Sequence, residues 1–204
     1  AQTGRTRTRY AENVHTTSQK RMTVARFHGI VALSGSDGKE RRQTMAVRIE
    51  RGNFEDARLV RERVFVEEQG FENEFDETDA DPSTIHLTLY ADGRLAGCAR
   101  TFPDPDDSNV EGSTAPLAAA QDGADARACW VFGRLAVLPE ARRDGFGTLL
   151  LAEAERVARE RGAASMRLHA QCRAAGFYER AGYEQYGPVE LDEHVEHVWM
   201  RKPL

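Results

Sequence analysis

The segment Arg142-Arg143-Asp144-Gly145-Phe146-Gly147 decides the fold, because it separates a short apolar run from a long amphipathic stretch. The apolar run is typical of a buried strand, and the apolar residues after the segment recur at helical spacing. A diphosphate between such a strand and helix would meet unpaired backbone N–H groups and the positive end of the helix dipole. Gly145 and Gly147 allow close approach of the backbone, and the two arginines add charge-assisted donors. The sequence therefore predicts a diphosphate-binding loop.

Two other phosphate-binding motifs do not fit the residues around this loop. A Walker loop needs a lysine before its Ser or Thr, whereas Thr148 follows Gly147 directly. A dinucleotide-binding fingerprint needs a third glycine where Leu150 stands, and an acidic ribose partner on a following strand. The loop therefore belongs to neither class.

Alternation of apolar residues and helical spacing predict the other elements. In chain order they are a strand from Met45, a helix from Asn53 to Gly70, hairpin strands at 85–90 and 95–102, a strand at 130–137, a helix at 145–161, a strand at 166–170, a short helix at 173–181 and a strand at 195–200. Residues 103–127 are expected to form a long surface loop with a short helix near 117–121. This order predicts a mixed α/β sheet flanked by helices.

Composition divides the 204 residues into two parts. Residues 1–44 are rich in Lys and Arg without a sustained period, and we expect a basic, poorly patterned N-terminal extension. Residues 45–204 are expected to form one acidic domain, which argues against nucleic-acid binding because phosphate binding needs a basic face. The chain has no apolar run of membrane-spanning length, so we expect no membrane partner and a cytoplasmic location. The three cysteines lack metal-ligand spacing, and no metal site is expected.

Two motifs resemble the signatures of the GNAT (Gcn5-related) N-acetyltransferase superfamily. Arg142-x-x-Gly145-x-Gly147 matches the first, which is Arg/Gln-x-x-Gly-x-Gly/Ala after a strand. Gln171-x-x-Ala174-x-x-Phe177-Tyr178-x-x-x-Gly182-Tyr183 is similar to the second, with conservative departures at 171, 177 and 183. The stretches 63–69, 133–137 and 196–202 further resemble the ElaA/YjcF-type branch. The resemblance implies an acyl-CoA N-acyltransferase fold over 45–204, with a mostly antiparallel sheet splayed at the cofactor strand.

The resemblance also implies where acetyl-CoA would bind. The backbone of Leu135, Ala136 and Val137 would pair with the pantetheine arm, because a splayed sheet leaves N–H and C=O groups free on this strand. Gln171 and Tyr178 would line the arm and its sulfur. The residues expected around the diphosphate are Arg142, Arg143, Asp144, Gly145, Phe146, Gly147 and Thr148.

Acyl transfer from a thioester to an amine needs a proton acceptor for the amine and a proton donor for the leaving thiolate. Tyr178 is the candidate general acid, because a phenol with an unperturbed pKa of about 10 is protonated at neutral pH. The identity of the general base is undecided, since the strand before the loop lacks the Glu that many GNAT enzymes place there. His197 is our first candidate, and proton loss through ordered water is an equal alternative. The other candidates are Glu68, the acidic stretch 72–81, His86 and His169.

Contact with the acceptor is assigned to a further set of side chains. These residues are Glu68, His86, Arg100, Arg134 and His169. Arg100 and Arg134 lie within apolar strands, so each must be paired or emerge at an edge. Pairing with the acidic stretch 72–81 is the first interpretation, and binding of an anionic substrate is the second. The acidic stretch is expected to be a solvated loop, with recognition of a cationic amine as the alternative.

The sequence thus predicts an acetyltransferase that uses acetyl-CoA and acts on a primary amine of a small molecule or a peptide. A non-catalytic acyl-CoA-binding regulatory module is the alternative, because the strand acid is missing. An acyl-homoserine lactone synthase is a weaker third option, which would need a methionine-derived cofactor pocket. The C-terminal strand, at a sheet edge, is the candidate homodimer surface.

Overall fold

A computed structural model of the protein describes residues 24–33, 41–105 and 129–204. Its centre is an eight-stranded sheet in the order β1-β2-β3-β4-β5-β6-β8-β7. The strands are β1 (Val24–Leu33), β2 (Arg41–Arg51), β3 (Ile85–Ala91), β4 (Arg94–Pro103), β5 (Cys129–Val137), β6 (Ser165–Gln171), β7 (Glu184–Asp192) and β8 (Val195–Pro203). The helices are α1 (Phe54–Arg61), α2 (Phe146–Glu160) and α3 (Ala175–Arg180), and a π-helical segment at Glu62–Glu68 continues α1. Short 3₁₀ turns lie at Glu77–Ala80, Pro139–Ala141 and Cys172–Ala174.

The sheet is antiparallel except between β5 and β6, which run parallel. Their pairing ends at Phe132 and Leu168, although β5 continues to Val137 and β6 to Gln171. The two strands therefore diverge, and each keeps its other neighbour over the unpaired part. The predicted fold class, a mixed and mostly antiparallel sheet splayed at this strand, is confirmed.

A β-bulge marks the start of the unpaired half of β5. The register between β4 and β5 shifts between Cys98 and Arg100, and Arg134 has a φ of 54°. A left-handed backbone is strained for a bulky residue and persists only where its surroundings hold it. The Arg134 side chain supplies such a hold, because its Nε donates to the Glu74 carbonyl at 3.2 Å and its Nη2 to Asp76 at 3.1 Å.

Helices α1 and α2 both pack on the strands around β4 and β5, but they belong to separate clusters of buried side chains. Leu150, Ala154 and Val157 of α2 pack in the larger cluster with the apolar residues of the sheet. Val60 and Val64 pack in the smaller cluster. The helices therefore cover opposite faces of the sheet, and the face next to α1 remains open over β6 and β8.

Most elements match the sequence prediction, and Asn53 caps α1 by accepting from the Asp56 N–H at 3.2 Å. The strand β7 was not predicted, because its side chains are mostly exposed and Gly187 and Pro188 interrupt its pattern. The helix predicted to reach Gly70 is instead α-helical to Arg61 and π-helical to Glu68. None of the helices in the described part of the chain has the length and apolarity that crossing a bilayer requires.

Regular structure begins before Met45, because β1 and the first residues of β2 lie within the segment expected to be poorly patterned. The boundary between residues 1–44 and the domain itself stays a prediction. The helix predicted near 117–121 lies outside the described residues, as does the loop around it from 106 to 128.

Candidate active site

The divergence of β5 and β6 opens a cleft of about 780 Å³. The predicted site residues that line it are Glu68, Arg100, Arg134, Leu135, Ala136, Val137, Arg142, Gly147, His169, Gln171, Tyr178 and His197. Side chains or backbone from β5, β6, β8, α3 and the π-helical segment thus meet in one place. The lining does not include Arg143, Asp144, Gly145, Phe146 and Thr148, which lie in the adjoining loop and the first turn of α2.

The loop before α2 presents unpaired backbone donors. The backbone N–H groups of residues 143–147 have no hydrogen-bond acceptor among the described residues, whereas those of Thr148 and Leu149 bond to the Gly145 carbonyl at 3.0 and 3.2 Å. Gly145 adopts a φ of 78°, which side chains disfavour, whereas a Cβ added at Gly147 would make only an ordinary contact with the Phe177 ring, at 3.6 Å. Free N–H groups at a helix N-terminus fit an anion such as a diphosphate.

The side chain of Arg142 is already occupied. Its Nη1 and Nη2 donate to the two Glu68 carboxylate oxygens at 2.8 and 2.5 Å, and its Nε donates to the Val137 carbonyl at 3.0 Å. The hydrogen bond from Arg142 lowers the pKa of Glu68. In this structure the Arg142 guanidinium is therefore bound to Glu68 and is not free to bind an anion. Arg143 is exposed and forms no ion pair with a described residue.

The unpaired half of β5 fits the role expected of Leu135–Val137. Ala136 and Val137 pair with β4 on one side, but no residue of β5 after Phe132 pairs with β6 on the other. Across the cleft, Gln171 at the end of β6 donates to the Gln69 side chain at 2.8 Å. A linear, amide-containing ligand laid between the strands would meet backbone polar groups that the sheet leaves unpaired.

Tyr178 lies on α3 at the inner wall of the cleft. Its ring is 8% exposed and makes an edge contact with Phe132, whose ring centroid is 6.4 Å away. Burial raises the pKa of the phenol, and its hydroxyl has no hydrogen-bond partner in the described part of the chain. Tyr178 is therefore a neutral phenol at physiological pH that has an O–H to donate.

Two histidines face each other on the open face of the sheet. The ring centroids of His169 and His197 are 4.9 Å apart. The His197 Nδ1 lies 2.9 Å from the Val195 carbonyl, which only accepts, so Nδ1 carries the hydrogen and Nε2 is the basic atom of the neutral ring. His169 stacks on Trp199 at 4.6 Å, and burial lowers its pKa, as does His197.

A buried ionic cluster forms the wall beside the bulge. Its members are Arg61, Arg100, Arg134, Glu74, Asp76 and Asp79. Arg100 bonds to both Asp76 and Asp79 at 2.6 and 2.7 Å. The interpretation that Arg100 and Arg134 pair with the acidic stretch is confirmed.

The expectation of a solvated acidic loop is wrong for Glu74 and Asp79. Their side chains are 4% and 6% exposed, because Arg61 reaches both from α1 at 2.6 Å. Burial opposes ionisation of Asp79, but hydrogen bonds from Arg61 and Arg100 outweigh it and lower the pKa of Asp79 to about 2. Burial raises the pKa of Glu74 against the pull of its arginine neighbours.

His86, a candidate for acceptor contact, does not line the cleft. Its Nε2 lies 3.1 Å from the Asp79 carbonyl, and its ring packs on Phe54 at 4.6 Å. Sequence reasoning missed Arg61, although its place between Val60 and Val64 puts it beside the apolar face of α1. Gln69 and Trp199 lie in the stretches 63–69 and 196–202 that carry the narrower resemblance, but no site role was predicted for either. Within the described residues, no group of His, Cys, Asp and Glu side chains is arranged to hold a metal ion.

The chain matches the family model described as Acetyltransferase (GNAT) family over residues 52–183. The protein therefore belongs to the GNAT acetyltransferase family and is an acyltransferase.

Individual relatives agree with this assignment. The uncharacterised N-acetyltransferase YjcF of Bacillus subtilis (strain 168) is 27% identical over 150 residues, which cover 73% of this chain and 91% of YjcF. A crystal structure of a provisionally assigned N-acetyltransferase from Lactobacillus plantarum has a TM-score of 0.62 and 26% identity, covering 78% of this chain and 98% of that one. The crystal structure of an acyl-CoA N-acyltransferase from Pseudomonas aeruginosa has a TM-score of 0.56 and 26% identity, and the match covers 73% of this chain and 89% of that one. The family context supports use of a CoA derivative.

The ionic cluster predicts a large effect of one substitution on stability. Arg61→Ala would leave Glu74 and Asp79 buried without their partner, and we expect the free energy of unfolding to fall by about 3–5 kcal/mol. Arg58→Ala is the matched control, because Arg58 pairs with Glu62 on the exposed side of α1 and such pairs contribute about 0–1 kcal/mol. Urea unfolding followed by circular dichroism measures both. Equal losses in the two variants would contradict the structural role of the cluster.

Proposed function

We propose that the protein transfers an acetyl group from acetyl-CoA to a primary amine of a small molecule or a peptide. The observation that carries this proposal is that three features lie in or directly beside one cleft. These features are the unpaired half of β5, the free N–H groups before α2 and the unpartnered hydroxyl of Tyr178. The unpaired strand can bind an extended arm, the free N–H groups can bind an anion, and the Tyr178 hydroxyl can donate a proton into the cleft.

The residues present fit acetyl-CoA in a definite arrangement. The N–H groups of residues 143–147 would hold the diphosphate, with the α2 dipole adding a favourable field. The backbone of Leu135–Val137 would continue the sheet by pairing with the pantetheine amides. The thioester supplies the acetyl group. Tyr178 then lies on the wall that the sulfur would approach.

His197 is the proposed base. Its Nδ1–H is fixed by the Val195 carbonyl, so Nε2 takes the proton that the amine must lose as its C–N bond forms. Tyr178 returns a proton to the sulfur as the C–S bond breaks, which leaves a thiol and an amide. The stacked pair of Trp199 and His169 holds one side of the His197 ring. Direct attack on the thioester needs no covalent enzyme group.

A non-catalytic acyl-CoA-binding module is the second candidate. It is favoured by one observation, the lack of any Asp or Glu on β5 from Cys129 to Val137. Both functions require acyl-CoA binding, but only the enzyme releases free thiol in the presence of an amine.

Tyr178→Phe tests the proposed acid. We expect kcat to fall about 10²-fold or more, because a positioned general acid contributes that much, while the Kd for acetyl-CoA stays close to that of the wild type. The measurements are thiol release with a panel of primary amines and calorimetric binding. Tyr183→Phe is the matched control, since Tyr183 is also buried, at 2% exposed, and does not line the cleft. Unchanged turnover in Tyr178→Phe would refute the acid role.

His197→Asn separates a base from a structural hydrogen bond. The Asn amide can still donate to the Val195 carbonyl but has no basic nitrogen. We expect His197→Asn and His197→Ala to lose kcat by a similar factor of about 10² or more, with acetyl-CoA binding retained. Turnover measured with and without added imidazole completes the test, with partial rescue expected for the Ala variant. Full activity of His197→Asn would mean that the ring only supports the fold.

A further inference from the structure

Two polar contacts cross the mouth of the cleft and meet in one dipeptide. Glu68 binds the guanidinium of Arg142 through both carboxylate oxygens, at 2.8 and 2.5 Å. Its neighbour Gln69 accepts from the Gln171 amide at 2.8 Å. Arg142 follows β5 and Gln171 ends β6, so the two diverging strands are tied to the same segment. We call Glu68–Gln69 the strap.

The strap is also held from the hairpin between β7 and β8. The His194 Nε2 lies 2.9 Å from the Gln69 carbonyl. In the same turn, the Glu193 carboxylate accepts from the backbone N–H groups of Glu72 and Asn73 at 3.0 and 2.8 Å. The strap thus bridges the gap between the strands on the face that α2 and α3 leave open.

The residues around the strap allow it to open with little loss of stability. Glu68 ends the π-helical segment Glu62–Glu68. Such turns are rare in proteins as a whole, and those that occur are often found at functional sites. The side chains of Glu68 and Arg142 are 39% and 40% exposed. Exposed ion pairs contribute little to stability, so this one can exchange partners without unfolding the domain.

Arg142 offers the same fork of donors to a carboxylate and to a phosphate. It lines the same cleft as Gly147, at the loop whose N–H groups are free to bind an anion. A diphosphate held at that loop brings further negative charge towards Glu68, and like charges repel at such range. The pKa of Glu68 is lowered by Arg142, so the carboxylate is charged at neutral pH.

We propose that Glu68 is an internal competitor of acyl-CoA for Arg142. On binding, the guanidinium passes from the Glu68 carboxylate to the cofactor's diphosphate, and the strap opens to admit the pantetheine arm. This inference rests on the proposed function, since it assigns the control of entry to the same cofactor site.

The test compares acetyl-CoA binding by Glu68→Gln and Glu67→Gln with that of the wild type. Glu67 is exposed, adjoins Glu68 and does not line the cleft, so its variant makes the same change in net charge away from Arg142. We expect Glu68→Gln to bind acetyl-CoA about 2- to 5-fold more tightly, the range that an exposed ion pair allows, with a faster association rate. Glu67→Gln should match the wild type. Calorimetry gives Kd, and stopped-flow fluorescence gives the rates.

Two further measurements locate the effect. S-acetylpantetheine also needs the strap to open but lacks the diphosphate that competes for Arg142, so Glu68→Gln should raise its affinity less than that for acetyl-CoA. In an Arg142→Gln background, Glu68→Gln should lose most of its gain in acetyl-CoA affinity, because the competing pair is already broken.

The outcomes are distinct. Equal or weaker acetyl-CoA binding by Glu68→Gln than by Glu67→Gln would overturn the proposed competition, and so would an equal gain for S-acetylpantetheine. In both cases acetyl-CoA still binds, and the proposed function stands. No saturable binding of acetyl-CoA by the wild type would overturn the proposed function together with this inference.

Discussion

The early end of the pairing between β5 and β6 is the constraint on which the site depends. Parallel strands that continue side by side would satisfy each other's backbone groups, and no cleft would form between them. Here the ladder stops at Phe132 and Leu168, and both strands run on apart. The bulge at Arg134 turns β5 where it loses this neighbour. The cleft can therefore hold an extended ligand, because the backbone groups of β5 on this side have no neighbouring strand to bond to.

The bulge in turn depends on charges that come from elsewhere in the chain. Arg134 is held by Glu74 and Asp76, and these acids belong to a loop that Arg61 and Arg100 draw into the protein. A buried charge is costly unless it is paired and hydrogen-bonded, and this cluster meets that condition with three arginines and three acids. The acidic loop is therefore part of the wall of the site, and its buried members Glu74 and Asp79 are held by arginines.

The sequence predicted the parts of the site that local rules determine. The turn at Arg142–Gly147 and the start of α2 follow from glycine placement and apolar spacing, and the cap at Asn53 follows from residue type. Burial of Glu74 could not be predicted, because its partner Arg61 lies on α1 and only the tertiary fold brings them together. The contact of His169 with His197 likewise depends on the register between β6 and β8. The edge strand β7 lacks a buried face and so lacks the pattern that identifies a strand.

We propose that acyl-CoA occupies the gap between β5 and β6 with its diphosphate at the start of α2. Hydrogen–deuterium exchange with and without saturating acetyl-CoA tests this placement. We expect slower exchange of the backbone amides at 143–147, whose N–H groups have no acceptor among the described residues, and at 135–137, where β5 pairs with β4 but has no neighbour on its β6 side until the cofactor binds. Protection confined to other segments, with both of these stretches unchanged, would contradict this placement of the cofactor.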